Sequence, residues 1–382
     1  MVVINRVGGT DSFDPGNDPA WSLDGRYYTD PDIFAAEREA VFFRNWLLVG
    51  HVSRLRQPGD FFTVELFDQP VAVLRGRDGT LRAFHNVCQH RGHRLLRGDG
   101  NVKAAITCPY HAWAYDTTGA LRNAPNCENV EGFDREAVRL SAVGVETMAG
   151  FVFVNLDPDA VPLARAAPGM EQELLDFAPQ SADLVHAWRV TYPVKANWKV
   201  CVENWSECYH CDPVHPMLMQ EFIDQQSHHI VCHGIWQRQF MNLHEKVLAA
   251  VDVAARASVR REQASWTLWP HMGFQIVLQG YLSAFTWLPV DADTTIFCED
   301  WFFPSKDPTP EQQALIRFRA DFTQPEDDRI CEEVQAGLKS RGYRPGRLMV
   351  DRGRGSLSEH SVLHLQHLAK SSVDGWLATR GR

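Results

Sequence analysis

The chain has 382 residues, 45% of them hydrophobic and 12 of them tryptophan, which is too long for one small electron carrier and enough for two domains with sizeable cores. Lys and Arg total 38 against 48 Asp and Glu, and the resulting net charge of −10 argues against nucleic acid or an anionic membrane as the main partner and favours a soluble enzyme. No apolar run is long enough to span a bilayer and residues 1–9 lack the blocks of a signal peptide, so a reducing, cytoplasmic compartment is expected, with Cys127, Cys201, Cys208, Cys211, Cys232, Cys298 and Cys331 as buried thiols.

Thr29-Asp30-Pro31 opens a predicted helix running through Phe43, with Asp30 or Thr29 as cap and Pro31 at the first position. Phe61–Phe67, Val71–Arg75 and Leu81–Val87 read as short strands, the last two joined by a turn at Asp78-Gly79. Trp113–Tyr115 and Leu121 flank another hairpin turn, and Gly150–Leu156 closes an antiparallel β domain over residues 44–160. Pro162–Ala178 reads as a connecting helix. Beyond it, Val185–Tyr192, Gln275–Pro289 and Thr294–Phe303 have the content of antiparallel strands, while Glu311–Phe322 and Asp327–Leu338 carry helical period. There is no internal repeat, and one β domain followed by mixed sheet and helix is α+β in class. Residues 1–43 and 161–382 form the second domain.

Within the β domain, Cys88-Gln-His90 and Cys108-Pro-Tyr-His111 are paired loops, each offering one thiolate and one imidazole. That mixed set suits a [2Fe–2S] cluster of Rieske type, in which imidazoles replace thiolates on one iron. Cys88 and Cys108 would hold one iron and His90 and His111 the other. A structural zinc is the alternative, although zinc sites pair Cys with Cys and His with His locally. Gly92 and Pro109 would shape the tight backbone around the sulfides.

A second constellation lies in residues 197–215. His210 and His215 are five apart, off one helical face, but Pro213 is expected to break the helix and turn the second imidazole back. Glu207 stands one turn before His210. Two His and one carboxylate form the facial triad of non-heme iron oxygenases. Asp327 and Asp328 both compete for the carboxylate role. At about 100° per residue, the apolar stripe of Ile330, Cys331, Val334 and Leu338 centres near Asp327, which favours it, because a buried carboxylate needs a cation.

On these motifs, Cys-x-His-x17-Cys-x2-His and Glu207-x2-His210-x4-His215 with Asp327, the chain resembles the catalytic (α) subunit of a Rieske non-heme iron oxygenase over nearly its whole length. The resemblance implies a Rieske domain and a catalytic domain of helix-grip type, arranged as a homotrimer in which the cluster of one subunit feeds the mononuclear Fe(II) of its neighbour. Glu207 matches the carboxylate that bridges His210 and the neighbour's His111. It further implies O2 as co-substrate and a separate flavin- and iron–sulfur-containing reductase that supplies single electrons from NAD(P)H. Glu207 within Glu-Cys-Tyr-His-Cys, where many members carry Asp, resembles the branch that oxidises betaines, carnitine and choline.

The expected reaction is therefore N-demethylation or hydroxylation of a small quaternary ammonium compound. Trp205, Trp236, Trp266, Trp269, Phe274, Phe285 and Trp287 are candidates for an aromatic pocket suited to a trimethylammonium head or to a planar arene, so aromatic-ring hydroxylation stays open as a rival. Tyr209 and Trp113 are candidate hydrogen-bond donors beside the metal ligands. A non-enzymatic electron carrier would explain residues 44–160 and leave the second half idle.

Overall fold

The computed structural model describes residues 13–16, 18–250, 261–276 and 282–380. They fall into two compact units: Phe43–Leu163, and Met1–Phe42 together with Ala164–Arg382. Residues 1–9, read above for a leader, lie outside the described part. Among the described residues no helix is long and apolar enough to cross a membrane.

The Phe43–Leu163 unit is antiparallel β. Its ten strands are β1 (Leu47–His51), β2 (Asp60–Leu66), β3 (Gln69–Arg75), β4 (Leu81–His85), β5 (Asp99–Asn101), β6 (Ile106–Thr107), β7 (Ala114–Tyr115), β8 (Leu121–Asn123), β9 (Ala142–Met148) and β10 (Phe151–Asn155). Seven form a sheet in the order β1-β10-β9-β4-β3-β2-β5, and β6-β7-β8 form a small one. Phe61, Leu74, Phe84, Ile106 and Tyr115 share one buried cluster with Cys88 and Cys108, so the bases of both metal loops are pinned in apolar packing.

The second unit is built on a seven-stranded antiparallel sheet of β11 (Val185–Val194), β12 (Ile223–His233), β13 (Trp236–Leu243), β14 (Glu262–Leu268), β15 (Met272–Ile276), β16 (Leu282–Pro289) and β17 (Thr295–Phe303), in the order β11-β17-β16-β15-β14-β13-β12. The single strand read over Gln275–Pro289 is instead the antiparallel pair β15 and β16, with Met272 opposite Thr286, and residues 277–281 lie outside the described part. The break was present in the sequence as Gln279-Gly280 and was read through. The connecting helix read over Pro162–Ala178 is likewise two pieces, Leu163–Ala166 and Met170–Phe177, parted at Gly169, whose φ of +81° a helix cannot accommodate.

Helix α1 (Pro31–Ala40) is capped by Asp30, whose side chain accepts from the Asp32 N–H, and it ends three residues before the expected Phe43. Its Glu37 is fully buried and takes the Lys199 ammonium at 2.5 Å and the Trp198 indole N–H at 2.9 Å. Both donors open α2 (Trp198–Trp205), which Asn197 caps. A buried pair of this kind adds little net stability but is costly to break on one side, so it fixes α2 against α1.

Helices α3 (Cys211–Val214), α4 (Pro216–Glu221), α5 (Pro310–Phe318), α6 (Gln324–Leu338) and α7 (His360–Arg380) complete the elements used below. A π-helical stretch, Arg319–Thr323, joins α5 to α6, so the two predicted helices run on as one path and α6 begins before Asp327. Val334, placed on the buried stripe from helical phase, is 48% exposed.

Candidate metal centres and their surroundings

The two loops of the first unit have congruent backbones. Gly92 N–H donates to Cys88 O at 2.9 Å and Ala112 N–H to Cys108 O at 3.0 Å, while Cys88 and Cys108 N–H groups donate to His93 O and Trp113 O. The left-handed positions are Gly92 (φ +70°) and Ala112 (φ +57°), so in the second loop Ala112, four residues after its cysteine, makes the turn that was assigned to Pro109. Cys88 and Cys108 are each 2% exposed, and the His90 and His111 rings lie 4.8 Å apart toward the surface. His111 Nδ1 is buried with no hydrogen-bond partner among the described residues. Two thiols below, two imidazoles above and an unclaimed ring nitrogen fit a Rieske cluster and do not fit one tetrahedral zinc clip.

Trp113 stacks on His90 with centroids 4.7 Å apart and planes 7° from parallel, so its ring packs against the loop. A donor at the loop is Tyr115, read from the sequence only as a strand residue, whose Oη lies 3.3 Å from Cys88 Sγ and accepts from the Gln89 N–H. Burial, then Cys88, push its phenol up, so it stays a protonated donor. Tyr115→Phe is expected to lower the cluster potential by about 40 mV, the one-electron equivalent of a hydrogen bond worth about 1 kcal/mol. Protein-film voltammetry reads this directly, and an unchanged potential would mean that the sulfur does not use the bond.

In the second unit, His210, His215 and Asp327 each direct one ligand atom into a space in which all three lie within 4.8 Å of one another. Asp327 Oδ1 is 2.9 Å from His215 Nε2 and 3.4 Å from His210 Nε2. The remaining ring nitrogens are held by carboxylates: His210 Nδ1 donates to Glu207 Oε1 at 2.5 Å and His215 Nδ1 to Glu326 Oε2 at 2.7 Å. Burial would raise Asp327, but the two imidazoles hold it well below the usual carboxylate range; conversely burial lowers His210 while Asp327 and Glu207 together carry it up to about 10. Asp328 turns away, accepts from Gln324 Nε2 at 3.0 Å, and is raised by burial to about 6. The donor set, two imidazoles with one anionic oxygen, fits a mononuclear Fe(II).

The local route to this arrangement differs from the one expected. Pro213 sits inside the first turn of α3, where its missing N–H costs nothing; the bend falls at His215 (φ −116°, ψ 53°), displaced from helical geometry because Pro216 follows it and opens α4. Glu207 lies past the end of α2 in a non-helical turn, and its Oε2 accepts from the Tyr209 and His210 N–H groups, so it caps that turn where a shared helical face was predicted. The Tyr209 ring is 48% exposed. Cys208 and Cys211 are not thiols but a disulfide, with Cα atoms 4.9 Å apart across the Tyr209-His210 turn, and Cys127 is only half-buried. Glu326 was overlooked; its position beside Asp327 on α6 was the available signal.

A cavity of about 680 Å3 reaches His210 along the outer face of α2, where Val200, Glu203, Asn204 and then Glu207 line it. Glu203 accepts from Tyr28 Oη and Gln366 Nε2, yet burial carries it up to about 7. A carboxyl raised in this way contributes stability that is present below its ordinary 4.5 and lost as pH climbs through 7. Glu203→Gln is therefore expected to flatten the fall in Tm between pH 5 and 8 and to raise Tm at pH 8 by about 2–4 °C. Calorimetric scans of both proteins across that range test it, and an unaltered slope would refute it.

The seven aromatic candidates divide by sheet face. Trp236, Trp266 and Phe274 face the Met170–Phe177 helix, where Phe177 meets Trp266 at 5.3 Å and Glu173 accepts its indole N–H, and Trp269 packs on Trp198; these are core. Trp205, Phe285 and Trp287 cluster on the opposite face, with centroids 4.5 to 6.0 Å apart.

Residues 181–374 match the model of the ring hydroxylating alpha subunit (catalytic domain), and residues 45–134 that of the Rieske [2Fe-2S] domain. The carnitine monooxygenase oxygenase subunit of Escherichia coli (strain K12) is 40% identical, covering 91% of this chain and 93% of its own. The glycine betaine monooxygenase oxygenase subunit of Pseudomonas aeruginosa (strain UCBPP-PA14) is 28% identical, covering 86% and 85%. The crystal structure of a quaternary ammonium Rieske monooxygenase in complex with L-carnitine superposes with a TM-score of 0.82 at 37% identity, over 93% of this chain and 96% of that one.

Proposed function

The chain belongs to the Rieske-type ring-hydroxylating oxygenase α subunits, and from that membership we propose that it oxidises a small quaternary ammonium compound, by N-demethylation or by hydroxylation. The observation that carries this reading is 40% identity along more than nine-tenths of the chain to a subunit that acts on carnitine. A domain that only carried electrons would not need the matched catalytic half.

When bound, the cluster supplies single electrons and the Fe(II) supplies a place for O2 to react. The protein's part is orientation. Glu207 and Glu326 take the Nδ1 protons of His210 and His215, which leaves both Nε2 atoms facing the space they share with Asp327, and the two carboxylates stiffen the imidazoles against rotation. We assign the metal to His210, His215 and Asp327, and the cluster to Cys88, His90, Cys108 and His111. A homotrimer served by a separate NAD(P)H-dependent reductase completes the proposal, with Glu207 bridging from His210 to His111 of the partner subunit.

Demethylation consumes O2, two electrons and two protons, and it yields the protonated tertiary amine, formaldehyde and water. Incubating the reconstituted enzyme and reductase with L-carnitine, γ-butyrobetaine and glycine betaine should give formaldehyde or a hydroxylated product. Oxidation of an arene with no turnover of these three would establish ring hydroxylation instead.

A further inference from the structure

The inner face of the second unit's sheet carries buried polar groups that the folded chain leaves without partners. Cross-strand register places them together: Gln275 opposite Ser283, Ser283 opposite Trp301, Phe285 opposite Glu299, and Trp287 opposite Phe297, and directly opposed residues share a face. Gln275 Oε1, Glu299 Oε1 and Arg319 Nε are buried with no hydrogen-bond partner among the described residues, while the Ser283 and Trp301 side chains face the Glu299 carboxyl. Trp205 Nε1, above them on α2, is another. One such atom left unmade costs about 1–3 kcal/mol, so a cluster of them on one face marks a surface shaped to meet polar atoms of something else.

Glu299 is the centre of this patch and is 1% exposed. Its Oε1 lies 3.8 Å from Arg319 Nε, an ion pair held too far apart for a hydrogen bond. Burial raises the carboxyl to about 7, and Arg319, Trp301 and Ser283 pull it only partway back. The Arg319 guanidinium in turn sits 5.3 Å from the Phe285 ring centroid and gives one N–H to Gln324 on α6, the helix that carries Asp327. Trp205 lies over β15 only because position 273 is glycine: a Cβ there would come within 2.7 Å of its indole nitrogen. The patch thus combines a buried carboxyl, a buried guanidinium and an aromatic wall of Trp205, Phe285 and Trp287, and Gln324 links it to the helix that carries Asp327.

We propose that this patch is the recognition subsite for a zwitterion, with Glu299 and the aromatic wall facing the quaternary ammonium head and Arg319 facing the carboxylate. The assignment rests on the quaternary ammonium reading above and extends it by naming the residues that select charge. An aromatic wall attracts a desolvated cation, and an anion beside it adds to that attraction. Arg319 is a cation that a carboxylate can pair with and an alcohol cannot.

The test is anaerobic titration calorimetry on the holoenzyme with glycine betaine, choline and 3,3-dimethylbutanoate, which respectively carry both charges, the cation alone and the anion alone on similar frames. Glu299→Gln is expected to weaken glycine betaine and choline about tenfold or more and to leave 3,3-dimethylbutanoate unchanged or tighter. Arg319→Gln is expected to weaken glycine betaine and 3,3-dimethylbutanoate to a similar degree and to spare choline. Loss of all three ligands together in both variants, or loss of none, would overturn the assignment. Should neither variant fold, the unaltered protein still decides: glycine betaine must bind more tightly than either single-charge analogue. Wild-type protein that binds no trimethylammonium compound would overturn the substrate reading itself, whereas normal betaine binding that ignores both substitutions would overturn only the subsite.

Discussion

Replacing Asp327 with alanine is expected to lower iron from about three to about two per chain and to cut turnover by roughly 10^3-fold or more, while the visible spectrum of the Rieske centre is retained. The physical case rests on charge. On the assignment proposed above, Asp327 is the oxygen donor of the triad, and it is held anionic by two imidazoles despite its burial. Fe(II) is weakly bound among the divalent metals, and two neutral nitrogen donors without that carboxylate are a poor site for it. The cluster ligands lie in the other compact unit, whose apolar packing around Cys88 and Cys108 does not involve α6. Asp328→Ala is the matched control. Its carboxylate faces Gln324 and already tends toward the neutral form, so iron content should stay at about three per chain. Iron and turnover that survive Asp327→Ala but fail in Asp328→Ala would reverse the assignment.

The metal loops were legible in the sequence because ligand chemistry fixes both residue type and spacing there, and Gly92 marked one of the two turns. Ala112 was not legible, since nothing in an alanine announces a positive φ. Helical phase favoured Asp327, the carboxylate that the fold brings beside His210 and His215; the same phase read Ile330, Val334 and Leu338 as core, whereas they line the cavity and the buried position beside Val334 is Gln335. Strands β12, β13 and β14 went unread. β14 does alternate, Gln263, Ser265 and Thr267 against Ala264, Trp266 and Leu268, with both faces buried, whereas Gln237, Arg238 and Gln239 run together in β13 and break the period. The polar face of β13 and β14 continues into Gln275 and Ser283 of β15 and β16. Glu326 was hidden for a geometric reason: its reach to His215 exists only after the chain bends at His215-Pro216.

Glu207→Gln is expected to retain both metals yet slow the delivery of electrons to the mononuclear site by about 10–100-fold, the range found when a group that orients a metal-bound histidine is lost. Both carboxylate oxygens are committed, Oε1 to the His210 Nδ1 proton and Oε2 to the backbone N–H groups of Tyr209 and His210. Glutamine has one oxygen to offer, so its NH2 must face either the imidazole N–H or the two backbone donors, and one of those contacts becomes a donor-to-donor clash. His210 still meets Asp327, and His215 keeps Glu326, so the iron should remain. What fails is the fixed orientation of His210 and, on the bridging proposal, the charge that faces the partner subunit's His111. Single-turnover mixing of reduced enzyme with substrate and O2, followed at the cluster's visible bands, separates the steps. Slow cluster reoxidation with about three irons per chain supports the bridge; a rate equal to that of the unaltered enzyme would remove Glu207 from the electron path and leave it only a cap for the turn that carries His210.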